Sequence, residues 1–146
     1  MKRILVDASV LIAGCGSNTG ASRAILSAAE IGLFRIVVTR QILDESERNL
    51  RKKLPASLPV LADVLVRSRP EILPDPLPKA SARWHDLIHV NDAPILEVAV
   101  VTQVNRIISL NTRHFTPQLG AKIDIPIQTP EQFVQELRSI VTDGLD

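Results

Sequence analysis

The chain begins MKRILVDASVLIAG, and Asp7 sits awkwardly in that run. Ile4, Leu5 and Val6 read as a strand buried on both faces. The carboxylate that ends it would be costly to bury without a partner. Asn111 follows a second apolar run, IISL, in the same way, with Arg113 and His114 beside it in NTRHF. Arginine offers phosphate a forked donor and histidine changes charge near neutral pH, so both suit an anionic substrate. For His114 the preferred reading is plainer: it packs the loop together with Phe115.

Other acids lie far away along the chain. Asp44, Glu45 and Glu47 crowd the segment ILDESERNL, and Asp92 opens NDAPILEVAV. Asp92 could simply cap its helix, satisfying free N–H groups near Ile95, and the acids around Glu45 could form a solvated face. His85 and His89 in WHDLIHVND have no Cys or His partner at zinc spacing, so they receive no role.

At 146 residues the chain fits one domain spanning 1–146. Hydrophobic residues make up 45% and charged residues 23%, proportions that exclude a disordered or fibrous chain. The net charge is only +1, so affinity for nucleic acid must come from local clustering. Arg48, Arg51, Lys52 and Lys53 form such a cluster, followed by Arg67 and Arg69. A solvated helix face and a phosphate-binding surface both remain open for it. One Trp and no Tyr argue against extensive base stacking. No signal peptide or membrane span is legible and Cys15 has no cysteine partner, which together point to a cytoplasmic protein without membrane contact.

These residues need elements to position them. After Asp7 the stretch AGCGSNTGAS reads as a loop, RAILSAAEIGLF as a helix ending near Gly32, and FRIVVT as a second buried strand. RQILDESERNLRKKL is a charged helix stopped by Pro55. From Pro55 to Pro78 six of the ten prolines occur, and the region reads as the short helix VLADVLVRSR within irregular connections. DAPILEVAVVTQVN is a buried helix, RIISL the third strand and IDIPIQ the fourth, with the polar stretch NTRHFTPQLGAK between them. The last helix opens at TPEQ, with Thr129 as cap and Gln132 completing a capping box. Alternating strands and helices with continuous apolar strands predict a three-layer α/β/α sandwich on a parallel sheet. Ligands of such sheets bind beyond the carboxyl ends of the strands, where Asp7 and Asn111 both fall. Spacing alone does not bring Asp92 there.

The ordered blocks VDASVLIAG, ILDESERNL, NDAPILEVAV, IISLNTRHF and IQTPEQFV resemble the PIN domain family, metal-dependent ribonucleases common as toxins of toxin–antitoxin pairs. The resemblance implies an acidic pocket of Asp7, Glu45, Asp92 and the position held by Asn111, gathered around Mg²⁺ or Mn²⁺, with Ser9 accompanying the first acid. Hard divalent cations take oxygen ligands and acidify bound water for attack on phosphorus. Carboxylates clustered without a cation would repel and raise one another's pKa. Asp7 and Asp92 are thus the expected metal acids, and Glu45 is preferred over Asp44 and Glu47 on the family register alone. Ser9, Asn111 and Arg113 would support them, with Arg40, Arg48, Arg51 and Lys52 meeting RNA phosphates.

Asn111 departs from the family pattern, because an amide ligates a cation without a charge. The alternative is therefore a weakened PIN-like module that binds RNA or protein. A toxin of this kind further implies a homodimer and a cognate antitoxin. A phosphoacceptor receiver domain is a poorer match, since it wants paired acids at the first strand and a Lys after the last. Asp7 stands alone and Lys122 precedes its strand.

Overall fold

The computed structural model describes the backbone of residues 1–145 and the side chains of residues 1–141. Five parallel strands form one sheet: β1 (Arg3–Val6), β2 (Arg35–Thr39), β3 (Glu71–Leu73), β4 (Arg106–Ile108) and β5 (Ile127–Gln128), in the order β3-β2-β1-β4-β5. Ile4, Leu5 and Val6 are fully buried, as are Val37, Val38, Ile107 and Ile108, so the central strands are covered on both faces.

The chain moves from β1 outward through β2 to β3, then returns to the other side of β1 for β4 and β5. Right-handed crossovers place the helices of these two directions on opposite faces of the sheet. The first direction carries α1 (Ala8–Gly16), α2 (Ala21–Glu30), α3 (Arg40–Lys53) and α4 (Leu58–Ser68), which pack on one another. The second carries α5 (Pro78–Ser81), α6 (Ala93–Thr102) and α7 (Pro117–Ile123). Helix α8 (Pro130–Leu145) returns across α2 and sets Phe133 edge-on to Phe34. Thr129 and Gln132 make both hydrogen bonds of the expected capping box. Among the described residues no helix is long and apolar enough to cross a membrane.

Four expectations need correction. The stretch expected as a loop, AGCGSNTGAS, is a connection only at residues 17–20: its first four residues end the helix α1 and its last two begin α2. Gly14 is there for packing: a Cβ on it would lie 2.5 Å from Leu26 Cδ1 and 3.1 Å from the Ser22 carbonyl oxygen, where α2 crosses. The proline-rich region contains the strand β3, paired with β2 from Val37↔Glu71 to Thr39↔Leu73. The strands expected as third and fourth are consequently the fourth and fifth, and the last is confined to Ile127–Gln128. The polar stretch before it holds α7, capped by the Thr116 hydroxyl and begun by Pro117.

Two forked ion pairs brace the amino edge of the sheet. Arg3 of β1 grips Glu71 of β3 through two bonds of 2.8 Å, and Arg106 of β4 reaches Glu136 of α8 at 2.8 Å. The hydrogen bond from each arginine holds its glutamate below the usual value of 4.5. A carboxylate depressed by folding stabilises above its unfolded pKa and loses that contribution as pH falls through the folded one. Arg3→Ala and Arg106→Ala should therefore each destabilise by about 1 kcal/mol at pH 7. Denaturant midpoints should show that difference fading below pH 4.5.

Candidate functional site

The strand order reverses between β1 and β4, so the crevice beyond their carboxyl ends is where a parallel sheet opens to a ligand. Val6 pairs with Ile108, so the next residues in register are Asp7 and Ser109. Asp7 is buried, and its Oδ1 accepts from the Ser9 amide at 3.0 Å and from the Ser9 hydroxyl. Its Oδ2 accepts from the Ser109 hydroxyl at 2.5 Å. Asp7 thus caps α1, the plain role open to it, while also bonding across the crevice.

Each hydroxyl passes the connection on. The Ser9 Oγ accepts from the Leu110 amide at 3.0 Å and the Ser109 Oγ from the Asn111 amide at 2.9 Å, which fixes the turn after β4 against the end of β1. Burial pushes Asp7 above the ordinary carboxylate range despite these hydrogen bonds. Sequence reasoning missed Ser109. The alignment of the two apolar runs was the signal that could have found it.

Glu45 comes from α3, whose start is set by the Thr39 hydroxyl at the end of β2. Partial burial raises its pKa first, and the charges of Asp7 and Asp92 raise it further, while Arg48 lowers it. Three acids separated by dozens of residues therefore share one electrostatic neighbourhood. Glu47 turns away and pairs with Arg51 at 2.5 Å, both being exposed. Asp44 faces a separate groove.

Asp92 occupies the position before α6, yet its side chain makes no cap there. It meets His114 instead, with Nδ1 2.5 Å from Oδ2. His114 also stacks flat on His89, with ring centroids 5.2 Å apart and 3° between the planes. The expectation that His114 packs the loop with Phe115 is corrected: Phe115 is buried, whereas His114 is turned to the acid. His89, given no role from sequence, accepts from the Asn91 amide through Nδ1 at 3.1 Å. Behind it, Glu97 of α6 receives Arg83 Nε at 2.7 Å and Trp84 Nε1 at 2.8 Å, which ties the preceding segment to the helix.

The Asn111 carbonyl accepts the amides of His114 and Phe115. Its own side chain is half-buried. Arg113, Arg40, Arg48 and Lys52 are exposed. Cys15 is buried and its thiol is pushed up to about 11, so it is no nucleophile.

Among the described residues, no three His, Cys, Asp or Glu side chains are gathered tightly enough to grip one ion between them. The donor set nonetheless fits a hydrated hard cation. Mg²⁺ keeps several waters and takes one or two carboxylates directly. Asp7 is fixed in place, and its Oδ2, which accepts only from Ser109, keeps an acceptor site for a cation or its water.

The sequence pattern that defines the PIN domain matches residues 3–113, and the chain belongs to the PIN domain family. Among solved structures it is similar to PAE2754 from Pyrobaculum aerophilum, at 20% identity over 94% of this chain and 90% of that one, with a TM-score of 0.66. It is also similar to DNA-bound VapBC from Salmonella typhimurium, at 19% identity over 89% and 99%, TM-score 0.62. A third is VapC20 of Mycobacterium tuberculosis, a toxin that cleaves the sarcin–ricin loop, at 11% identity over 71% and 86%, TM-score 0.56. At these identities the likeness establishes the shared fold. No curated protein matches the chain by sequence.

Proposed function

We propose that the chain is a one-domain, metal-dependent endoribonuclease and the toxin of a toxin–antitoxin pair. The observation that supports this reading is that the charges of Asp7, at the sheet's switch point, and of Asp92 both bear on Glu45 and raise its pKa. A Mg²⁺ or Mn²⁺ ion held there supplies Lewis-acid activation of a phosphodiester and lowers the pKa of the attacking water.

The protein's own residues do the rest. Ser9 and Ser109 aim the Asp7 carboxylate, and His114 fixes one oxygen of Asp92, leaving the other for the cation. Arg40, Arg48 and Lys52 offer phosphate contacts along α3, with Arg113 at the crevice edge. Arg51 joins them only by leaving Glu47. VapBC complexes among the similar structures support a cognate antitoxin as partner. The reading further takes a homodimer in the cytoplasm as the working unit.

The direct experiment incubates purified protein with structured and single-stranded RNA in millimolar Mn²⁺ and again in a chelator. Cleavage in the first and none in the second is expected, with binding that weakens as salt rises. Equal outcomes with and without metal would remove the reading.

Asn111 favours a second reading, a weakened module that binds RNA or protein, because it withholds a charge from the pocket. Asn111→Asp distinguishes the two. Added charge at the turn after β4 should tighten Mn²⁺ binding by about tenfold, within the range that surrounding groups command at metal sites. Calorimetric titration measures it. If cleavage then rises sharply from a negligible starting level, the wild-type chain is the weakened module.

A further inference from the structure

A groove of about 450 Å³ opens along α3, and of its lining only Arg48 has a part in the hydrolytic reading. One wall is a stripe of α3: Gln41, Asp44 and Arg48 recur three and four residues apart and share a face. The other wall is the proline-rich return from β3 to α6, including Asp75 and His85 and closing at Pro94. Gln41 fixes the two walls together, its amide donating to Asp75 Oδ1 at 3.0 Å and its Nε2 to the Asn91 carbonyl at 2.8 Å. Ser81 lies in the wall as well, and its buried hydroxyl has no hydrogen-bond partner among the described residues. Two of its lining residues are close in the chain to the acids: Asp44 precedes Glu45, and Pro94 lies two positions after Asp92.

We propose that this groove receives one unstacked guanine of the RNA, next to the phosphate at the acidic site. The inference rests on the ribonuclease reading and adds the base recognised. Single-stranded RNA is read by splayed bases that stack on His rings or Arg planes and bond through their Watson–Crick edges. His85 and Arg48 provide the stacking surfaces and Asp44 the edge reader. Guanine alone presents two adjacent donors, N1–H and the 2-amino group, to match the two oxygens of one carboxylate. Uracil offers one donor between two carbonyls, which a carboxylate repels. The volume suits one base with its sugar, at the lower end of small-molecule pockets. Prolines at the wall keep the groove open without ordering cost on binding.

The test titrates ¹⁵N-labelled protein in metal-free buffer with guanosine, inosine and uridine 5′-monophosphates, which share the phosphate and differ in the base. Guanosine monophosphate should shift the amides of Gln41, Asp44, Asp75 and His85 and bind at least about tenfold tighter than uridine monophosphate. Inosine monophosphate, lacking the 2-amino group, should fall below it. Asp44→Asn, on an exposed position, should bring the three affinities together. Equal affinities in the wild type, shifts confined to the surroundings of Arg51 and Lys52, or no shift with any nucleotide would each overturn the proposal; the last would leave the groove to a protein partner.

A cleavage arm separates the two readings. If the wild type cuts RNA but Asp44→Asn cuts guanine-containing and guanine-free RNA in the wild-type ratio, the guanine site fails and the nuclease stands. If guanosine monophosphate binds the groove and no RNA is cut, the nuclease fails instead.

Discussion

Asp7→Asn is expected to abolish RNA cleavage and, in metal-free buffer at neutral pH, to raise the melting temperature. The loss in rate should exceed about 100-fold, beyond what removal of a merely supporting group costs at a metal site. Both effects come from the same burial. The folded protein holds the Asp7 carboxyl above its ordinary value, and it holds Glu45 above its own. For a group raised by folding, the stabilising contribution is present below the unfolded pKa and is lost as pH rises through the folded one. As pH rises, the metal-free protein therefore bears a growing cost of burying the Asp7 charge. Asparagine removes that charge and can still accept from Ser9 and meet Ser109.

The same signs shape the acid limb. Lowering pH from neutral first relieves Asp7 and Glu45, then breaks the pairs of Glu71 and Glu136 below 4.5. Metal-free wild type should gain stability before it loses it, whereas Asp7→Asn should show less of the gain. Thermal melts from pH 7 to pH 3 record both limbs. A mutant less stable than wild type throughout, with cleavage intact, would show that Asp7 serves only to cap α1.

Glu45→Gln is expected to remove cleavage by a similar factor, while Glu47→Gln leaves the rate unchanged and only releases Arg51. Glu45 feels the charges of Asp7 and Asp92, whereas Glu47 is exposed and pairs with Arg51. Melting with and without Mn²⁺ gives a second readout. At 100 times its dissociation constant a bound ligand stabilises the fold by about 2.7 kcal/mol. For a domain of this size that is a rise of roughly 5–10 °C. Glu47→Gln should retain the rise and Glu45→Gln should lose most of it. A loss in Glu47→Gln equal to that in Glu45→Gln would assign the register wrongly.

The central strands and the long helices were legible because their sequences say one thing at every level. Ile36, Val37 and Val38 are apolar, β-branched and bounded by polar residues; Thr129 and Gln132 spell their own cap. Helix α1 was not, since Gly14 and Gly16 resemble punctuation. Only the crossing of Leu26 over Gly14 reveals that the glycine is demanded by a close approach. Strand β3 lies between Pro70 and Pro74 at a partly exposed edge, where no continuous apolar run can announce it. Helix α7 is short, and its cap and proline stand among polar neighbours that read equally well as a loop.

Asp7 was suspect from sequence because a carboxylate at a buried strand end needs a partner. The remaining acids entered by family resemblance, since distance along the chain hides them. One signal was available for Asp92. A crossover helix runs antiparallel to the strands it joins, so its amino end lies at their carboxyl edge. The orientation of its side chain was not readable, because the histidine that holds it lies 22 positions away.

A crystal grown with Mn²⁺ and measured for anomalous scattering addresses the main assertion without any assay of turnover. The expected map has one strong peak beyond the ends of β1 and β4, among Asp7, Glu45 and Asp92, with at least one carboxylate oxygen about 2 Å away. A protein that stays peak-free there at millimolar Mn²⁺, or whose ion sits elsewhere, contradicts it.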